Sequence, residues 1–232
     1  MKWLYFPFKD ISADPTMPKN LKRYQGKYGA NLTVRQFGDG ELFNDVGDDD
    51  MFIVAGHGLP GNENIGVSVK AEGLAGFFGK TVQVTITANT LADMLMIGGL
   101  PYSHKYIKTI SCGGAGIAIA DDANVRLDRT GQKVTGMPLK EVKSQSDCFA
   151  CVLAKAMAQR KYWRLLVRGY PGFVNAKELQ KTVFMESGDQ SDKGKGFTVD
   201  YWGGKKVKMM QAPTKSLEEE YWFDGYGRLV WR

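Results

Sequence analysis

The chain has 232 residues, of which 43% are hydrophobic and 24% charged, with a net charge of +6 and three cysteines. Such a composition excludes a disordered polyanion-like chain and a disulfide-stapled miniature domain, and the odd cysteine count in a long chain reads as free thiols in a reducing compartment. No run approaches the roughly 18 apolar residues of a membrane span, and the apolar part of "MKWLYFPFKD" is too short for a secretory signal.

In chain order, residues 1–30 carry aromatics, prolines and the basic cluster "PKNLKRYQGKYG" without a readable period, and are taken as an N-terminal extension. "NLTVRQF" (31–37) alternates as a strand does. "MFIVAG", bounded by "VGDDD" and "GHGLPG", reads as a strand buried on both faces, the usual appearance in a parallel sheet. Thr90 and Asp93 fit a capping box ahead of a helix carrying Leu91, Met94 and Leu95 on one face. The strand "YIKTIS" follows, then a polar, glycine-containing connection over 113–147, long enough to suggest a functional loop. A second helix begins near Ser146–Asp147, with Phe149, Val152, Leu153, Ala156 and Met157 at helical spacing, and "RLLVRGYPG" is a further strand. The alternation predicts a single α/β domain over 1–232, with a mostly parallel central sheet and helices on both faces. Residues 181–232 break into short strand-like pieces, a β-hairpin region appended to that sheet.

Two of these strands end in reactive residues. His57 follows "MFIVAG" and Cys112 follows "YIKTIS", each with glycine beside it. In open parallel sheets, sites form beyond the carboxyl ends of strands. If the two strands are neighbours, the imidazole and the thiol emerge on one rim. A thiol needs a base or a cation to become a thiolate near neutral pH, and an imidazole can serve and later protonate the leaving amine. The backbone N–H groups of Gly58 and Cys112 are candidate oxyanion-hole donors. His104, in "LPYSHKY" before a strand, is the competing base and lies at the wrong end of the sheet. Taken singly, a strand-end cysteine is ordinary core and a histidine between glycines an ordinary turn residue; the repeated design argues for the pair.

The order "GHG", "TANTLADML", "IKTISCGG", "CFACVLAKAM" and "LLVRGYPG" resembles the caspase-like cysteine peptidases of clan CD. Within that clan it is most similar to the self-processing peptidase domains of large bacterial toxins and related injected effectors. The resemblance covers about residues 50 to 175. It implies a caspase-like three-layer sandwich and thiol-protease activity through Cys112 and His57. It also implies a secreted effector or toxin that acts in the host cytosol on a host protein or on itself. Those domains are activated by inositol hexakisphosphate held in a Lys/Arg cluster beside a β-flap. By that resemblance the polyanion ligands here would be Arg164, Arg168, Lys193, Lys195, Lys205, Lys206 and Lys208. The bland reading of these lysines is a solvated face. The chain departs from the caspase pattern at Ser111, where caspases carry Ala before the nucleophile.

Cys148 and Cys151 form a C-x-x-C near a helix start with no strand directly before it, and read as a structural helix face. No metal is expected and nucleic acid is not the expected partner. Two rival functions stand. One is a non-catalytic basic module for a phosphorylated ligand or nucleic acid; the other is a thiol acyltransferase or deamidase using the same dyad.

Overall fold

The computed structural model describes residues 1–40, 43–58, 63–73, 79–111, 116–120, 139–144, 148–169, 173–178, 180–187, 197–201, 205–213, 219–223 and 229–230, with 116–120, 139–144 and the segments from 173 onward described as backbone. In chain order, strand β1 (Lys2–Phe6) leads to helix α1 (Met17–Tyr28) and β2 (Leu32–Gln36). Next come β3 (Met51–Ala55), the two-residue β4 (His57–Gly58), β5 (Asn64–Lys70) and β6 (Thr81–Thr87). Helix α2 (Ala88–Ile97), β7 (Tyr106–Ile110), β8 (Gly116–Ala120), β9 (Leu139–Ser144), helix α3 (Phe149–Gln159) and β10 (Leu166–Gly169) follow. The remainder is β11 (Phe173–Glu178), β12 (Gln180–Ser187), β13 (Phe197–Tyr201), β14 (Lys205–Pro213), β15 (Glu219–Phe223) and β16 (Leu229–Val230).

The protein is mixed α/β, with a mostly parallel central sheet and a small antiparallel one. In the central sheet β10, β7, β3, β1 and β2 lie side by side in that order and run parallel, and β15 and β16 continue it antiparallel beyond β10. Large apolar side chains buried on both faces make these interior strands: Leu4, Phe6, Phe52, Ile53 and Ile107 are all at or near zero exposure. Tyr28 of α1 lies against Lys2, so α1 covers the face of Lys2, Leu4 and Phe6. The opposite face carries Tyr5 and Phe52, which both meet the Phe43 ring edge-on, at 5.1 and 5.2 Å, beneath the carboxyl end of α2. Each such ring pair contributes about 0.5–1.5 kcal/mol beyond its buried area.

Three readings of the sequence are corrected. Residues 1–30 are no extension: β1 sits inside the sheet between β2 and β3, and its aromatics are core. The period was hidden because both faces of β1 are buried, so nothing alternates. Helix α2 starts three residues earlier than the proposed capping box. Thr87 is the cap, its Oγ1 accepting from Thr90 N at 3.0 Å, while Asp93 instead accepts from Arg160 Nε at 2.8 Å and ties α2 to α3. The helix stops at Gly98–Gly99, where Leu100 N bonds Leu95 O and Gly99 N bonds Met96 O, a Schellman ending that needs the positive φ of Gly99 (82°). The connection 113–147, read as a loop, contains the antiparallel pair β8–β9. That pair joins β11, β12, β13 and β14 in a second sheet, so most of the tail pairs there and only β15 and β16 extend the central sheet.

Candidate active site

From β1 the chain crosses to β2 on one side, and from β3 it proceeds to β7 on the other. The connections therefore diverge between β1 and β3, and it is beyond the carboxyl ends of strands at such a divergence that open α/β sheets form their sites. His57 lies two residues past β3. β3 and β7 are parallel neighbours, as the site requires: Ala55 pairs with Ile110, and Gly56 N donates to Ile110 O at 3.3 Å. In sequence Cys112 is two residues beyond Ile110, as His57 is two beyond Ala55. Cys112 itself lies outside the described residues, whereas Ser111 before it is buried, with no hydrogen-bond partner for its Oγ among the described residues.

The sequence reading missed Asp14, in the connection from β1 to α1. His57 Nε2 lies 2.9 Å from Asp14 Oδ2 and 3.1 Å from Oδ1. The carboxylate is fully buried while the imidazole is 36% exposed, so one partner is fixed and the other reaches solvent. Asp14 also accepts from Thr16 N at 2.8 Å, Met17 N at 2.9 Å and Ser68 N at 2.9 Å, which knits the α1 start and β5 to the histidine. Burial alone would raise the pKa of Asp14. The bonds from Ser68, Met17, Thr16 and His57 outweigh it and hold the carboxyl below its usual value. An ionised Asp14 assigns the His57 proton to Nε2, which donates, and leaves Nδ1 as the basic nitrogen. The local signal was "ADPT": an Asp two residues before a helix N-cap is a common anchor of helix N–H groups, but its link to His57 depends on β1 and β3 lying together.

The glycines flanking His57 differ in purpose. At Gly56 a Cβ would come within 3.2 Å of Ile65 and 3.3 Å of Phe8, so glycine lets the core close under the histidine. Gly58 is buried in β4, paired with Ile65 of β5. His104 is a different kind of residue. It is fully buried at the amino end of β7, with Nδ1 3.0 Å from Gly47 O, Nε2 2.8 Å from Tyr106 O and its ring edge-on to Phe52. Burial dominates and lowers its pKa. Cys148 caps α3 and Cys151 lies in its first turn; both are buried and neither is in a disulfide.

The polyanion residues are scattered in what the structure describes. Arg164 is exposed in the turn before β10. Lys205, Lys206 and Lys208 lie on β14, in register with Tyr201, Asp200 and Thr198 of β13. Lys193 and Lys195 lie outside the described residues. Arg168 lines a cavity of about 230 Å³ together with Lys108, Tyr106, Ile107, Met51 and Asp49, its guanidinium 5.3 Å from the centre of the Tyr106 ring. This cavity sits at the amino ends of β3 and β7. It is about 20 Å from the His57 rim, six residues at ~3.3 Å each along β3.

Among the described residues no group of three His, Cys, Asp or Glu could hold a metal ion, and no helix is long and apolar enough to cross a membrane. No family model, curated protein or solved structure matches the chain.

Proposed function

We propose that the protein is a caspase-like cysteine peptidase in which Cys112 is the nucleophile, His57 the base and then the acid, and Asp14 the residue that positions His57. The observation that carries the proposal is the His57–Asp14 pair at the divergence of the sheet, beside the carboxyl end of β7, the strand that precedes Cys112 in the sequence. His57 Nδ1 takes the Cys112 proton, and the thiolate attacks the scissile carbonyl carbon. The tetrahedral oxyanion is bound by the N–H groups of Gly58 and Cys112. As the intermediate collapses, the C–N bond breaks and the amine leaves with the proton from His57. Water, deprotonated by the same nitrogen, then hydrolyses the thioester and restores the thiol. Asp14 keeps the imidazole in one tautomer and stabilises the imidazolium formed in each half-reaction.

The resemblance extends the proposal to a three-layer caspase-like sandwich, an effector acting on a host protein or on itself, and activation by inositol hexakisphosphate. The cavity between Arg168 and Lys108 supports a place for anionic groups away from the chemistry. An acyltransferase or deamidase would use the same Cys112 and His57, and product analysis separates them: new peptide termini for a peptidase, a +1 Da glutamine conversion or a transferred acyl group for the others. The proposal is tested with a random peptide library, with and without inositol hexakisphosphate, on wild type, Cys112→Ala and His57→Ala. Cleavage by wild type that both variants lose supports the assignment. Cleavage that survives Cys112→Ala overturns it.

A further inference from the structure

Strand β6 is the outer strand of the three-stranded sheet β4–β5–β6, the sheet that carries His57. Its seven residues, Thr81–Thr87, pair with β5 without a bulge, from Asn64↔Thr87 to Lys70↔Thr81. Among the described residues its only strand partner is β5. Exposed edges are normally blunted by an inward charge, a proline, a bulge or a lysine in mid-strand, because an open row of N–H and C=O groups recruits another strand. Strand β6 has none of these: "TVQVTIT" holds no charge and no proline. Val82 and Val84 are 49% and 39% exposed. They continue an apolar stripe, since Val69, Val67 and Ile65 are their and Ile86's partners on β5, and Val67 and Ile65 are buried.

The sequence of β6 fits one occupant of this edge, a second copy of itself. It is self-complementary about Val84. Reversed on itself, threonine meets threonine (81 with 87), valine meets isoleucine (82 with 86), glutamine meets threonine (83 with 85), and Val84 meets itself. These are favourable cross-strand pairs, and no like charges oppose one another. A two-fold axis through Val84 uses the same patch on both protomers, so the contact closes after two copies and consumes both edges.

We propose that the protein forms a homodimer by antiparallel pairing of β6 with β6 of a second copy, giving one six-stranded sheet with a His57 on each outer strand. The row of His57, Gly66 and Thr85 then continues into the partner's Gln83 and Ser68. Each histidine strand lies about 12 Å from the axis, two and a half strand spacings of ~4.8 Å. This pairing does not depend on Cys112 being a nucleophile.

Sedimentation velocity over a micromolar concentration series reads the result directly. Wild type is expected at twice the 25.7 kDa chain mass. Val84→Lys places two like charges against each other at the axis and is expected to sediment as a folded monomer, with an unchanged circular dichroism spectrum. An equal mixture of Val84→Lys and Val84→Glu is expected to return to the dimer mass, because only the heterodimer pairs opposite charges. If Val84→Lys fails to fold, the double variant Gln83→Lys, Thr85→Lys carries the charges on the solvent-facing side of the strand and serves the same purpose. A wild type that stays monomeric overturns the proposal, as does a dimer indifferent to charge on β6. A wild-type monomer that captures some other extended chain on β6 also overturns it.

Discussion

Asp14 and Ser111 are two buried polar residues with opposite accounts. Asp14 has a full set of donors, so its carboxylate stays charged inside the protein. Replacing it by Asn keeps the shape but removes the charge that fixes the His57 tautomer. We expect turnover to fall on the order of 10²- to 10⁴-fold while KM changes little. An unchanged kcat in Asp14→Asn would reduce Asp14 to a helix anchor. The same group makes an acid prediction. Its folded pKa lies below the usual 3.8, so its contribution to stability is complete above that value and is lost as pH falls through the lower folded pKa. Asp14→Asn should flatten that part of an acid titration followed by fluorescence. Ser111 has the reverse problem, a buried hydroxyl without a partner among the described residues. Ser111→Ala removes an unsatisfied group, and we expect it to stabilise the fold by about 1 kcal/mol, read as a higher urea midpoint. A lower midpoint would show that the hydroxyl is used.

At the scale of elements, the amino ends of β3 and β7 are joined by a histidine rather than by apolar packing alone. His104 Nδ1 lies 3.0 Å from Gly47 O of one connection and Nε2 2.8 Å from Tyr106 O of the other strand, the neutral ring donating to one of the two, beside Phe52 and with Asp48 and Asp50 nearby. The connection is reinforced by Lys105 N on Asp48 O and by Ser103 Oγ on Asp48 Oδ1. Because burial lowers the folded pKa of His104, the unfolded chain takes up a proton near 6.5 that the folded protein resists. Stability from this source is therefore complete above about pH 6.5 and declines as the pH drops below it. Melting temperatures measured from about pH 8 to about pH 5 should fall, and His104→Gln should remove most of that slope. A slope that persists in His104→Gln would assign it to other groups. This window is separate from that of Asp14, which lies below pH 4 or so, the ordinary carboxylate range.

At the scale of the molecule, His57 and the cavity lined by Arg168, Lys108 and Asp49 stand at opposite ends of β3 and β7. A polyanion at Arg168 and Lys108 would reach the active rim only through β3 and β7, by favouring one arrangement of the sheet. If inositol hexakisphosphate binds the folded form, stability rises by RT ln(1 + [L]/Kd), about 2.7 kcal/mol at a hundredfold excess over Kd. A thermal-shift series should show the melting temperature rising with the ligand and falling back with salt. Arg168→Glu with Lys108→Glu should abolish the rise. A response equalled by sulfate at matched ionic strength would remove the activator from the account.

The sequence by itself determined the strands β3, β7 and β10, the helical faces of α2 and α3, and the position of His57 just past a strand end. Each of these is written in local terms: an apolar run stopped by glycine, or a helical stripe. β1 was not legible, because a strand buried on both faces shows no alternation and a short aromatic run has no period of its own. The hairpin β5–β6 was not legible either, since its polar face carries serine and threonine that read as a loop. Asp14 follows from the same cause. Its partner is 43 residues away in sequence, and only the parallel pairing of β1 with β3 brings a helix-starting carboxylate to a strand-ending imidazole. Strand order is a property of the packed sheet and of its right-handed crossovers, so the tertiary structure alone decided which acid serves the histidine and which edge was left open.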